Sequence, residues 1–417
     1  MQHKLNILVS AYACEPNKGS EPGIGWNWIV QIAERGHLVW VLTRRNNKEN
    51  IEKYGIQLGS NVNFIYYDLP KPVLHLKKFL GVHLYYILWQ LFVLPISYKK
   101  HKIYKFDIIH HITFGVFRHC SFLWLLNTKF IIGPVGGGEL APWPIIKELD
   151  FKSIVFEVLR YFSNITAKYS PLLNLMYAYS WRIYVKTPET TKFISKKFSY
   201  KIRTAHDIGV TKTHSDNICS TTTERFQILY MGRFLHWKGI HLALKAFYLL
   251  IKSEPDAKFI LIGSGNYRDK LIKLANSLQI PEYNIEWISW IDHTSISTYY
   301  LNSKIFLFPS LHDSSGTVVF EALSFGLPVV CLNLGGPPLI IGNEMDTIIS
   351  VEKKSQEEII NLIMEKLLEI ATNKTLYLKL KEKAFERANQ LIWRKVVSEV
   401  YDDIEVAASP KQISAPY

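Results

Sequence analysis

The residues best suited to do chemistry lie in FPSLHDSSGTVVFEALSFGLPVVCLNLGGPPLI, Phe308 to Ile340. Asp313 and Glu321 stand there with seven residues between them. Asp313 falls in a short polar loop, and the apolar run after Gly316 and Thr317 reads as a helix start. The first turn of a helix offers free N–H groups to a phosphate. Glu321, about one turn further on, can accept hydrogen bonds from ribose hydroxyls. Asp313, on the loop, can accept them from a sugar. The plain alternative is a capped helix with Glu321 solvated. Its neighbours are apolar, however, and a carboxylate among them needs a partner.

Cations and glycines recur at the same kind of place. In ILYMGRFLHWKGIHLALKAF, Arg233 and Lys238 flank a strand-to-helix turn marked by Gly232 and Gly239. Two cations at the mouth of a parallel sheet can clamp a diphosphate and stabilise a departing one. They read equally well as two solvated surface charges. In FILIGSGNYRDKL, Gly263 and Gly265 make a tight turn after a strand, either for close approach to a ligand or for the turn alone. In CEPNKGSEPGIGWNW, Gly23 and Gly25 open a helix where backbone N–H groups can meet a phosphate. The spacing is not G-x-G-x-x-G, and the second strand ends in Thr43, Arg44 and Arg45 rather than an acid, which argues against a nicotinamide cofactor. No D-x-D follows a strand to hold a divalent ion. His110 and His111 end the run Asp107–Ile108–Ile109–His110, either packed or facing a ligand.

These residues need elements to hold them. LNILVSA, LVWVLTR, NFIYYD, FDIIHH, KFIIGP and RIYVKT read as short strands, with a helix from about Trp26 to Arg35 between the first two. The same grammar restarts at Phe226 with FQILYMGR, AKFILIG, IEWISW, SKIFLFPS and PVVCL, separated by helical runs. The expected architecture is α/β, two doubly wound halves with a cleft at the carboxyl ends of their strands. Residues 1–215 form the first domain and 225–390 the second. The seam lies in Thr211 to Glu224, and residues 391–417 form a helix crossing back to the first domain with a frayed tail.

Composition agrees with folded domains: 417 residues, 48% hydrophobic and 13% aromatic. The formal charge of +13 asks for an acidic partner. Cys14, Cys120, Cys219 and Cys331 lie far apart without metal-ligand spacing and read as reduced thiols. No leader precedes the first strand, so a cytoplasmic location is expected. A nucleic-acid partner is not expected, because the basic residues are spread out or sit beside phosphate-type glycines. Val73 to Lys105 stands apart: FLGVHLYYILWQLFVLPIS carries no formal charge and is followed by KKHKIYK. It reads as a transmembrane helix, as a buried helix with its connection, or as a surface element with basic flanks on anionic lipid.

The order of a Gly-rich first loop, G-R-x(4)-K-G, G-S-G and acid-x(7)-acid followed by G-L-P-V-V resembles the retaining glycosyltransferases of family 4, group 1 of the glycosyl transferases, with the GT-B fold. The resemblance covers nearly the whole chain and is most specific from Tyr230 to Pro338. It implies two Rossmann-like domains facing each other across a cleft, the first binding acceptor and the second a nucleotide sugar of UDP or GDP type. It implies transfer with retention and no required metal or cofactor. Position by position, Gly25 with Gly23, Arg233 and Lys238 match the diphosphate contacts. Glu321 matches the acid on the ribose and Asp313 the acid on the transferred sugar. Gly316 and Thr317 match the backbone that meets phosphate, with Gly263 and Gly265 close by. Family members usually have glutamate where Asp313 stands. Many carry a histidine at the strand end that here reads KFIIGPVGGGE, where it is missing or replaced by the backbone of Gly136, Gly137 and Gly138, with Glu139 nearby; Asp107–Ile108–Ile109–His110 matches another family pattern, D-(V/I)-(V/I)-H. For the acceptor, a glycan or lipid-linked saccharide, the aromatic and basic Val73 to Lys105 region suggests a polyprenyl-diphosphate-linked sugar at the inner face of the plasma membrane, as in polysaccharide or O-antigen assembly. A soluble acceptor, or a non-catalytic nucleotide-sugar-binding homologue, are the alternatives.

Overall fold

The structure, a computed structural model, describes residues 4–54, 58–214, 225–292 and 295–408. Short runs rich in Ile, Val, Leu and aromatics form its strands, as β-branched and aromatic side chains favour. In the first unit these are β1 (Asn6–Ser10), β2 (Leu38–Arg44), β3 (Val62–Tyr67), β4 (Ile108–His111), β5 (Lys129–Val135), β6 (Ser180–Val185) and β7 (Ile202–Thr204). They form one sheet in the order β3-β2-β1-β4-β5-β6-β7, with every neighbouring pair parallel. The central strands are buried on both faces, which is why they read as unbroken apolar runs. In the second unit, β8 (Gln227–Met231), β9 (Lys258–Ile262), β10 (Ile285–Ile288), β11 (Ile305–Phe308), β12 (Val329–Leu332) and β13 (Ile348–Ile349) form a parallel sheet in the order β10-β9-β8-β11-β12-β13. Strand order reverses between β1 and β4 in one sheet and between β8 and β11 in the other. Ligands of such sheets bind at the carboxyl ends beside that reversal.

The eleven longer strands match the runs expected from the sequence, and β7 and β13 were too short to read there. The first helix runs Ser20–Glu34, so it begins six residues before the expected Trp26 and takes Gly23 and Gly25 into its own first turns. The described residues divide into two compact units. The first unit holds the chain up to Gly138, Asn164–Ile208, and the helix Trp393–Ala408; the second holds Glu139–Ser163 and Gly209–Ile392. Residues 139–163, expected in the first domain, thus cluster with the second. Most of the expected seam, and the tail after Ala408, fall outside the described residues. Cys14, Cys120 and Cys331 are buried and form no disulfide; Cys219 lies outside the described residues.

The Val73–Lys105 region forms two helices, Lys71–Phe92 and Leu94–Tyr104. Gly81, at φ 71°, interrupts the first. No helix among the described residues is long and apolar enough to cross a membrane. Tyr85, Tyr86, Trp89 and Val93 are buried instead. Their polar tips are satisfied inside the first unit: Tyr85 donates to Asp68 at 2.9 Å and Trp89 to the Tyr67 carbonyl at 3.0 Å. Leu84, Ile87, Leu91 and Phe92 face outward.

Candidate functional site

The chain leaves β8 at Gly232 and passes through Arg233 to a short turn of helix, His236–Lys238. Gly239, at φ 67°, then starts the helix Ile240–Leu250. Its conformation and its surroundings both require glycine: a Cβ there would stand 1.9 Å from the Pro309 carbonyl oxygen. The loop after β11 is tied to this turn. Leu311 N–H donates to the Trp237 carbonyl at 2.7 Å, and the Ser310 hydroxyl does so at 3.2 Å. Both loops leave strands at the reversal of strand order, so Lys238 and Asp313 meet although 75 positions separate them.

Lys238 Nζ donates to Asp313 Oδ2 at 2.6 Å and lies 5.1 Å from the centre of the Phe308 ring. Burial works to raise the Asp313 carboxyl pKa, but the Lys238 ammonium outweighs it and holds the group below its ordinary value. Arg233 is exposed and makes no ion pair among the described residues. The helix Thr317–Ser324 begins after Gly316, and Glu321 lies half-buried one turn along it. The Tyr300 hydroxyl donates to Glu321 Oε2 at 2.9 Å, supplying the partner a carboxylate among apolar neighbours needs. Gly335 and Gly336 follow β12 and press on the acidic loop: Gly336 N–H donates to the Asp313 carbonyl at 2.7 Å. Lys238, Asp313, Gly316, Thr317 and Glu321 therefore share one end of one sheet.

Gly263 and Gly265 answer first to packing. A Cβ on Gly263 would meet the Gly232 carbonyl oxygen at 1.9 Å, and one on Gly265 the Phe234 carbonyl oxygen at 2.3 Å. Gly23 and Gly25, in the first unit, let the preceding loop lie against their helix. Their Cβ atoms would stand 2.0 Å from the Lys18 carbonyl oxygen and 2.2 Å from that of Ala13.

His110, expected at a ligand-facing strand end, is instead a core residue. It has no exposed surface, and its ring nitrogens engage the Tyr401 hydroxyl at 3.1 Å and the Gly133 carbonyl at 2.8 Å. Burial pushes its pKa down to about 4, against the bond to Gly133. His111 is packed likewise, against the Tyr86 hydroxyl at 2.9 Å.

The sequence reading missed Glu157. Its Oε1 accepts from His236 Nε2 at 2.8 Å and from His312 Nε2 at 2.9 Å, so one carboxylate joins the loops that carry Lys238 and Asp313. Trp237 stacks on His312 and on Phe156, 5.4 Å and 5.2 Å between ring centres, which stiffens the same junction. Burial would raise the Glu157 pKa, but the hydrogen bonds from His236 and then His312 hold it down to about 2. The helix Phe151–Tyr169 that carries Glu157 is turned inside out. Ser153, Glu157 and Asn164 are buried, while Phe151, Val155, Leu159 and Phe162 are exposed. A sequence signal existed: a polar stripe at helical spacing through an apolar helix. A second group missed, in the first unit, is Lys186 paired with Asp207 at 2.6 Å, beside Glu21, which accepts from Phe114 N–H at 2.9 Å. Burial raises the Glu21 pKa, against Lys186. An opening of about 690 Å³ in the first unit lies at the amino ends of β1, β4 and β5, away from these residues.

Two all-parallel sheets with flanking helices, chemistry-bearing loops gathered where strand order reverses, define the class: an α/β protein of the GT-B glycosyltransferase fold. A glycosyltransferase from Rickettsia africae superposes with a TM-score of 0.62 at 15% identity, over 97% of this chain and 98% of its own. The Anabaena protein HepE, solved with UDP-glucose, superposes with a TM-score of 0.56 at 13% identity, over 96% of this chain and 100% of its own. At such identities the likeness is one of fold. Residues 214–387 match the family model described as Glycosyl transferases group 1. An uncharacterized glycosyltransferase of Haemophilus influenzae is 28% identical over 178 residues, 42% of this chain and 48% of its own length. The match thus spans about half of that relative.

Proposed function

We propose that the protein is a glycosyltransferase that moves a sugar from a nucleotide-diphosphate sugar, of UDP or GDP type, to an acceptor hydroxyl. The observation that carries this reading is the Lys238–Asp313 pair beside the helix that bears Glu321, at the strand-order reversal of a group 1 domain. Lys238 and Arg233 supply positive charge for a diphosphate, and the first turn of Thr317–Ser324 supplies N–H groups. Glu321 takes the ribose hydroxyls and Asp313 the transferred sugar. HepE, with UDP-glucose bound, supports the donor class.

The reaction runs with retention and needs no metal. The acceptor oxygen attacks the anomeric carbon on the face from which the diphosphate departs. The bond from that carbon to the diphosphate oxygen breaks, and the acceptor proton passes to the leaving phosphate. Arg233, Lys238 and the helix N-terminus stabilise the charge that develops there. The test is a screen of UDP-, GDP- and other nucleotide sugars for saturable binding and hydrolysis. At least one donor should bind wild-type protein and fail with Glu321→Ala and Lys238→Ala; failure of every donor overturns the reading.

The acceptor in this reading is a lipid-linked saccharide of polysaccharide or O-antigen assembly, met at the inner face of the plasma membrane. Two observations support it: the charge of +13, and the outward row Phe151, Val155, Leu159 and Phe162. The protein should co-sediment with anionic phospholipid vesicles, and the triple change Phe151→Ser, Leu159→Ser, Phe162→Ser should abolish this. Unchanged sedimentation of that variant would remove the membrane from the proposal and favour a soluble acceptor.

A further inference from the structure

The opening at the amino ends of β1, β4 and β5 lies at the end of the first sheet opposite to the one where such sheets bind their ligands. Its volume, about 690 Å³, is that of a small-molecule site. His101, Lys105, Asp107, Asn127, Thr128 and Lys129 are among the residues that line it, so its walls are largely polar. Lys105 and Lys129 make no ion pair among the described residues. Nor do Lys99, Lys100 and Lys102, on the helix Leu94–Tyr104, which carries no acidic residue and ends at Lys105. The field around the opening is therefore positive.

The walls are held in place, and in part at a cost. Lys105 closes its helix in a left-handed conformation, φ 52°, where glycine is the ordinary residue. Lys102 already stands in the last turn, so the helix dipole alone does not call for a strained lysine after it. Asn127 is left-handed too, at φ 54°. Lys129 is half-buried, with its ammonium 4.8 Å from the centre of the Trp181 ring. The Thr128 hydroxyl donates to the Asp107 carbonyl at 3.1 Å, which ties the start of β5 to the start of β4.

We propose that this cavity binds a phosphate ester of a polyol. Lys105 and Lys129 take the phosphate. Asp107 and Asn127 take hydroxyls. One Asp107 oxygen accepts from the Asn6 N–H at 2.7 Å, which leaves the other to accept from the ester, and Asn127 is exposed. Bare phosphate would meet that carboxylate as a like charge, whereas an ester with hydroxyls turns it into a contact. Burial and the Lys105 charge lower the His101 pKa, so its ring brings no third cation at neutral pH. The site lies within the first unit and does not depend on the glycosyl-transfer reading. A soluble polyol phosphate and the headgroup of a glycerophospholipid share this chemistry.

The experiment uses the full chain, glycerol 1-phosphate, inorganic phosphate and vesicles of phosphatidylglycerol. Titrations run in Lys238→Ala, because phosphate also suits the donor cations. Glycerol 1-phosphate should bind saturably by calorimetry, and more tightly than inorganic phosphate. Lys105→Gly and Lys129→Met should each weaken the ester about tenfold. Lys105→Gly relieves the left-handed lysine and should melt no lower than its parent, which separates loss of binding from loss of fold. Asn127→Gly should weaken the ester and leave inorganic phosphate unchanged. Weaker co-sedimentation of both lysine variants with the vesicles assigns the site to a lipid headgroup; unchanged co-sedimentation, with ester binding lost, assigns it to the soluble ester. No saturable binding of the ester, unchanged affinity in both lysine variants, or inorganic phosphate bound as tightly as the ester would each overturn the proposal.

Discussion

At Lys238 and Asp313, each charge is held by the other, so a change at either is felt at both. Lys238→Ala leaves Asp313 without the cation that holds its pKa down. A hydrogen bond to a charged group contributes roughly 1.5–3 kcal/mol. Nucleotide-sugar affinity should therefore fall about tenfold to a hundredfold, read by calorimetric titration. Glu321 has a structural duty as well, because Tyr300 has no exposed hydroxyl to give to water. Glu321→Ala should cost about 1–3 kcal/mol of stability besides the donor contact proposed for it, while Glu321→Gln keeps an acceptor for Tyr300 and loses the charge alone. Thermal unfolding and donor titration together separate the two effects. Gly239→Ala should cost at least about 2 kcal/mol in urea unfolding, since the residue is left-handed and its Cβ has no room against Pro309. Lys238, Asp313 and Glu321 were legible in the sequence because each sits at a fixed offset from a strand end or helix start. Their pairing was not, since it depends on which strands neighbour one another.

The helix Phe151–Tyr169 teaches the opposite lesson. Its polar residues Ser153, Glu157 and Asn164 are turned inward while Phe151, Val155, Leu159 and Phe162 are exposed. A glutamate in an apolar helix is ordinarily solvated, and nothing local marks the two histidines it joins, 79 and 155 positions away. The consequence of that junction is measurable in acid. A carboxyl group whose folded pKa is depressed adds stability above its unfolded value, about 4.3, and loses it as the pH falls through the folded value. For Glu157 the window runs from about 4.3 down to about 2. Wild-type stability should fall across it by up to one proton's slope more steeply than that of Glu157→Gln, read by urea unfolding at a series of pH values. His110 marks another limit of local reading. A histidine at a strand end looks like a ligand contact until the helix that covers it, Trp393–Ala408, is known to bring Tyr401.

That last helix matters to the first unit as a whole. Val396, Val397, Val400, Tyr401 and Ile404 are buried, and Arg35 pairs with Glu405 at 2.6 Å while Arg182 pairs with Asp403 at 2.8 Å. At about 1.5–3 kcal/mol for each buried apolar side chain, the helix contributes on the order of 10 kcal/mol, comparable to the net stability of a domain. Truncation after Ile392 should leave β8 to β13 resistant to protease and make β1 to β7 sensitive, visible as a stable fragment in limited proteolysis. Equal resistance of both would mean that the helix is dispensable. The fold was the most legible level of all, because a fully buried parallel strand writes itself as an apolar run. The division into units was less so, because the chain passes between them at 138/139, 163/164, 208/209 and 392/393. Those four passages have a genetic meaning. No contiguous piece of the gene encodes either unit, and a single recombination event exchanges neither cleanly. A homologue's donor-type module can be grafted here only by replacing two separate stretches at once. Glu157, on the shorter stretch, must then arrive together with the histidines it serves.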